Sequence, residues 1–213
     1  MQPKSNKQPT NIKIHAPISK EHKRILTDEA MKFLGKLHQV FESRRRDIMF
    51  ARSETQALID SGSMPEFLTE TESIRTSDWQ VKDPPADLQD RRVEITGPVS
   101  RKMVIGAMNS GAKIFMADFE DANSPTWTNN LDGQVNLADA VRKDLRFTSP
   151  DGKSYSLSDN PAVLVVRPRG WHLHEKHLTV GGRPISAALF DFGLYFFNNA
   201  QKLLASGSGP YFY

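Results

Sequence analysis

The strongest constraint on the fold lies in residues 91–121, where three stretches of different texture follow one another. "RRVEITGP" is a short β-branched run closed by Gly97 and Pro98. "SRKMVIGAMNSG" sets Met103, Val104, Ala107 and Met108 at helical spacing and stops at Gly111. "AKIFMADFED" is a second apolar run that ends in carboxylates. Two strands joined by a helix within about thirty residues are the unit of a parallel sheet, since antiparallel neighbours need only a tight turn. The pattern therefore predicts an α/β chain. "PAVLVVRPRG" adds a core strand over 161–169, "SAALFDFGLYFFNNAQKLLASGSG" an apolar helix ended by glycine, and "PYFY" the start of another strand. Residues 123–160 break the rhythm with a helical patch "NLADAVRKDL", a strand-like "LRFTS" and the turn "SPDGKS", which together predict an insertion carrying its own hairpin.

Upstream of residue 91 the texture is helical, then irregular. Ala30, Phe33, Leu34, Leu37, Val40 and Phe41 recur at three- and four-residue spacing after Thr27 or Asp28, either of which can cap a helix start. A second helix is predicted from about Arg44 to Ile59, so that the two make a helical hairpin. Residues 1–18 read as a loose polar lead-in. Residues 61–91, broken by Pro65, Pro84 and Pro85, read as a long connector that wraps over a neighbouring domain. The domain division is thus 1–90 and 91–213, the latter running strand–helix–strand (91–121), insertion (123–160), third strand (161–169), then helix and next strand (186–213).

At 213 residues, 38% hydrophobic and 25% charged, the chain has the composition of a globular protein, and a net charge of +3 with interspersed signs argues against a nucleic-acid binder. The absence of cysteine removes disulfides, thiolate zinc sites and cysteine nucleophiles. No apolar stretch suggests a leader or a membrane span.

Both conspicuous charge clusters sit at strand ends. In parallel α/β sheets the functional groups gather at the carboxyl ends of strands, where loops and helix amino termini converge. The two-residue period of a strand puts Asp118 and Glu120 on one face, with Asp121 beginning the loop, and aligns Arg167 with Arg169 on the next apolar strand. Carboxylates on one strand end and a guanidinium on its neighbour suit a hard cation and an anionic oxygen substrate. The competing reading is a solvated acidic loop with an arginine that merely pairs to it. Three further features are weighed toward structural roles. His172, His174 and His177 lack the spacing of a helical zinc motif and read as a surface or helix-start segment. Arg44 to Arg46 could attract phosphates but read as the solvated side of a helix. "GSGP" lacks the lysine of a phosphate loop and reads as a helix stop with strand entry.

"RRVEITGPVSRKMVIGAMNSGAKIFMADFEDANSPTW", "DGQVNLADAV", "RPRGWHLHEKH" and "ALFDFGLYFFNNAQKLLASGSGPYFY" resemble the malate synthase family, in its shorter A-type isoform, from about Thr27 to Tyr213. The resemblance implies a (β/α)8 TIM barrel preceded by an N-terminal α-helical clasp, the barrel being incomplete over these residues. It implies a Claisen condensation of acetyl-CoA with glyoxylate and thioester hydrolysis to malate and CoA, in the glyoxylate cycle. It also implies Mg2+ at the barrel mouth, Arg167 as the catalytic arginine steadying the enolate oxygen, and Asp118 and Glu120 near the metal through bound water. Arg169 is expected to hold the insertion or the following loop by ion pairing. Direct metal ligands and the catalytic aspartate are expected downstream of residue 213, so the chain is expected to be a fragment, inactive alone. A citryl-CoA lyase-like barrel enzyme and a non-catalytic interaction fragment are the alternatives. The partners expected are small molecules, with neither nucleic acid nor membrane. The compartment expected is the cytoplasm, with a glyoxysome or peroxisome as alternative.

Overall fold

The computed structural model describes residues 11–213. In chain order the elements are β1 (Ile12–Ile14), helix α1 (Asp28–Asp60), the short α2 (Glu72–Arg75), β2 (Glu94–Pro98), α3 (Arg101–Met108), β3 (Ile114–Asp118), α4 (Trp127–Val141), β4 (Arg146–Thr148), β5 (Ser154–Ser156), β6 (Val163–Arg167), β7 (His174–Val180), β8 (Arg183–Ser186), α5 (Ala187–Ala205) and β9 (Tyr211–Phe212).

Strands β2, β3, β6 and β9 form a parallel sheet in that order, with β2 and β9 as its edges, so the sheet does not close into a barrel. Its central strands read as continuous apolar runs because both faces are covered. Phe115 and Ala117 of β3 and Leu164 and Val166 of β6 are buried in one cluster with Val104, Ile105 and Met108 of α3 and Tyr195 and Leu203 of α5. The parallel register sets Asp118 directly beside Arg167. Residues 123–160 carry α4 and the β4–β5 hairpin, and α4 contributes Leu137 and Ala140 to the same cluster. "GSGP" ends α5 with Gly207 at φ 78° and leads into β9, as read from the sequence.

Three expectations are corrected. The predicted helical hairpin is one continuous helix of 33 residues, about 50 Å long. Its periodicity fades after Arg45 because burial ends there, whereas no glycine or proline between Glu42 and Ile59 breaks the backbone. The cap is as expected, with Thr27 accepting from the Ala30 amide at 3.2 Å. The lead-in is not loose throughout, since Ile12–Ile14 pairs antiparallel with Leu178–Val180, while residues 1–10 lie outside the described residues. The histidine segment begins no helix: β1, β7 and β8 form a three-stranded antiparallel sheet.

That second sheet and the first half of α1 share a core. Leu178, Val180 and Ile185 are buried with Ala30 and Leu34 of α1, Trp127 and Leu131 of α4, and Phe190 and Leu194 of α5. Helices α1 and α5 approach closely at Gly193, where an added Cβ would lie 2.5 Å from Leu34 Cδ2 and 2.9 Å from Leu37 Cδ1. The connector over 61–91 is almost wholly exposed, and Asp87 ties it to the sheet by accepting from the hydroxyls of Ser208 and Tyr211, both at 2.6 Å. Among the described residues no helix is long and apolar enough to cross a membrane.

Candidate active site

At the carboxyl end of the parallel sheet, Arg167 reaches across to the end of β3. Its Nε donates to Asp118 Oδ1 at 2.9 Å and its Nη2 to Asp118 Oδ2 at 2.7 Å, a two-point fork that fixes the guanidinium plane. The second proton of Nη2 goes to Asp121 Oδ2 at 2.7 Å. Glu120 Oε2 stands 3.7 Å from Nε. The structure thus brings Asp118, Glu120 and Arg167 together, and adds Asp121. Among the described residues Nη1 has no partner, so two N–H groups of Arg167 remain available.

Asp118 is saturated. Besides Arg167 it accepts backbone N–H bonds from Glu120 (2.8 Å), Asp121 (3.2 Å) and Ala122 (2.9 Å), because the chain turns around its carboxylate immediately after the strand. Burial by itself would raise its pKa, but the Arg167 fork and the three amides hold it below the usual carboxylate range. Asp118 in turn keeps Arg167 protonated, above the ordinary arginine value. Glu120 is different: it is partly exposed, and its side chain accepts no hydrogen bond among the described residues. Its position depends on Gly170, where an added Cβ would lie 2.6 Å from Glu120 Oε1 and 2.9 Å from His172 Nδ1.

Beside this cluster lies an apolar groove of about 660 Å3 whose walls include Phe41 of α1, Trp171, Phe192 and Phe212, with Arg167 and Glu120 on its floor. An apolar wall lowers the local dielectric and so strengthens any bond the free N–H groups make to a developing negative charge.

Two residues further along, Arg169 has every one of its side-chain nitrogens engaged. Its amide and Nε donate to Asp191 Oδ2 at 3.0 and 2.8 Å, Nη2 to Asp191 Oδ1 at 2.8 Å, and Nη1 to Glu175 Oε2 at 3.0 Å. Arg169 thus ties the end of β6 to α5 and β7 by ion pairing, as expected in kind, but its partners lie on a helix and a strand rather than on residues 123–160 or in a loop. The carboxylates themselves were not foreseen, although a lone Asp191 in the apolar run "LFDFG" is the kind of residue that needs a buried partner. Glu175 also accepts from the His177 amide and sits 2.7 Å from His177 Nδ1. The reading of Arg44 to Arg46 as a solvated face fails for Arg45. It is buried, paired to Glu42, and donates to the Trp171 carbonyl at 2.7 Å and to His174 Nε2 at 2.9 Å.

The sequence model described as "Malate synthase, N-terminal domain" matches residues 11–73, and the one described as "Malate synthase, TIM barrel domain" matches residues 163–213. Among curated proteins, "Malate synthase" of Myxococcus xanthus is 57% identical over 193 residues, covering 91% of this chain and 36% of that protein. "Malate synthase A" of Escherichia coli is 54% identical over 197 residues, covering 92% of this chain and 37% of that protein. The chain belongs to the malate synthase family. A third relative, "Malate synthase, glyoxysomal" of Candida tropicalis, is 48% identical over 216 residues and covers 99% of the chain. This malate synthase chain spans little more than a third of the length of these relatives.

The acidic residues of this family member do not make a magnesium cage by themselves. Among the described residues no group of three or more His, Asp or Glu side chains is placed to hold a metal. Asp118 would have to release Arg167 or a backbone amide to ligate one, and Asp121 is bonded to Arg167. Glu120, and the second oxygen of the exposed Asp121, retain free acceptor capacity.

Proposed function

We propose that the complete protein condenses acetyl-CoA with glyoxylate and hydrolyses the thioester to give malate and CoA, as part of the glyoxylate cycle. Family membership supplies the reaction class. The observation that carries the residue assignment is the half-engaged guanidinium of Arg167, with Nε and Nη2 fixed by Asp118 and Asp121 and Nη1 left over. When a carboxylate base takes a methyl proton from acetyl-CoA, negative charge collects on the thioester oxygen. A fixed donor that needs no reorientation at that moment lowers the barrier, by about 3–4 kcal/mol for one well-placed donor in comparable oxyanion sites.

In this reading Arg167 is the catalytic residue and Asp118 its positioning residue. Glu120 is the side chain able to face a hydrated magnesium ion. The direct ligands and the base come from sequence outside these 213 residues. The parallel sheet is proposed as the first part of a (β/α)8 barrel and α1 as the clasp that precedes it, with the division near residue 90. The proposed compartment is the cytoplasm, with a microbody as the alternative that the glyoxysomal relative supports.

The test uses the chain extended to the full length of its relatives, following CoA release from acetyl-CoA and glyoxylate. Arg167→Lys is expected to lower kcat by about 10²–10³-fold, since a point charge cannot both fill the Asp118 fork and offer a free N–H pair. Undiminished turnover in a folded variant would remove the role of Arg167. Citrate cleavage without glyoxylate dependence would move the protein to the lyase reading.

A further inference from the structure

On the side of α1 that faces β7 and β8 lies a depression of about 640 Å3, separate from the groove at Arg167, lined by Glu42, Arg45, Arg46, Met49, His172, His174, Arg183 and Pro184. A smaller one of about 350 Å3 adjoins it, sharing Arg45, Met49 and His172 and adding Ile48, Arg52 and Trp171. The floor common to both is built rather than incidental. Arg45 is buried, its Nε and Nη2 are held by Glu42 at 2.8 and 2.9 Å, and it fixes the Trp171 backbone and the His174 ring.

The charge over this floor is unbalanced. Glu42 is the one carboxylate in either lining, and Arg45 neutralises it. Among the described residues Arg46, Arg52 and Arg183 make no ion pair; Arg46 of α1 and Arg183 of β8 meet at the larger depression, and Arg52 lines the smaller one beside it. Because Arg45 donates to His174 Nε2, that nitrogen carries no proton and the other ring nitrogen is the donor. The field extends to His38 beneath: burial lowers its pKa, and the guanidiniums of Arg45 and Arg183 lower it further against the pull of Glu42. Converging guanidiniums of this kind bind phosphate oxygens, and an exposed indole beside them offers a flat face for a base. Trp171, about half exposed, supplies that face, with Ile48 and Met49 as apolar neighbours.

We propose that this cleft binds a nucleotide, its diphosphate held between Arg46 and Arg183 and its base laid against Trp171. The source is either a free nucleotide or the nucleotide half of coenzyme A, which share this chemistry.

The test is titration of the isotope-labelled chain, extended to the full length of its relatives, with pyrophosphate, ADP and coenzyme A, read by amide and indole resonances. Pyrophosphate is expected to shift Arg46, His172, His174 and Arg183, and ADP to shift the Trp171 indole as well. Arg46→Gln with Arg183→Gln should weaken ADP at least tenfold, while the remote control Arg146→Gln leaves it unchanged. Both arginines are exposed and unpaired, so the variants should fold, and far-UV circular dichroism checks this. Competition of ADP by coenzyme A would assign the cleft to the substrate's own nucleotide, an outcome that leans on the proposed function. ADP binding that ignores coenzyme A would stand without it. No shift at millimolar pyrophosphate, affinity unchanged in the double variant, or ADP shifts that never reach Trp171 would overturn the proposal.

Discussion

Arg167 and Arg169 are separated by one proline, and their surroundings could hardly differ more. Arg169 has 4% of its side chain exposed and spends its donors on Asp191 (0%) and Glu175 (2%). Arg167 is 19% exposed, keeps one nitrogen free, and shares its partners with backbone amides. The first fastens three elements together, and the second is held in place with something left to offer. Residue type and strand periodicity do not separate the two roles. A whole nitrogen left unengaged, in a side chain that solvent can reach, does.

The largest expected effect breaks the buried side of this pair. Arg169→Met should cost about 3–5 kcal/mol in urea denaturation, because it strands two carboxylates in the interior. Replacing Arg169, Asp191 and Glu175 together by apolar residues should recover much of that loss, and no recovery would mean that the network does more than neutralise itself. Arg167→Met should cost less, about 1–2 kcal/mol, since Asp118 keeps its three amides and water can reach the vacated side; a loss equal to that of Arg169→Met would erase the distinction.

A smaller effect concerns acid. The Asp118 carboxyl is depressed in the folded protein, so its stabilisation is complete above the ordinary aspartate value near 4 and is lost as pH falls through the depressed one. Asp118→Asn should flatten the stability profile in that acidic window and leave its slope above pH 5 unchanged. The smallest is Glu120→Gln, within about 0.5 kcal/mol by the same denaturation, as befits a partly exposed carboxylate with no hydrogen-bonded partner.

The sheet was legible because its central strands, β3 and β6, are covered on both faces and announce themselves as apolar runs ending in charge. Asp118 and Arg167 could be paired from sequence because parallel neighbours start and stop together. What stayed hidden depends on distance along the chain. Strand β7 opens on four polar or charged residues, His174 to His177, and it becomes a strand only by pairing with Ile12–Ile14 and Arg183–Ser186. The second half of α1 shows no apolar face because little packs on it, so no buried stripe in the sequence marks its continuity. Gly170 carried no signal, since only the folded loop shows Glu120 and His172 pressed against its one hydrogen.

With three of its five protons spoken for, the Arg167 guanidinium can greet an incoming molecule from a single nitrogen. A carboxylate seeking the familiar two-pronged embrace would have to evict Asp118 or Asp121, whereas a solitary carbonyl or enolate oxygen needs only one of the hydrogens on Nη1. The acidic neighbours therefore act as a filter on ligand shape, admitting one-oxygen visitors and turning away those that arrive with two.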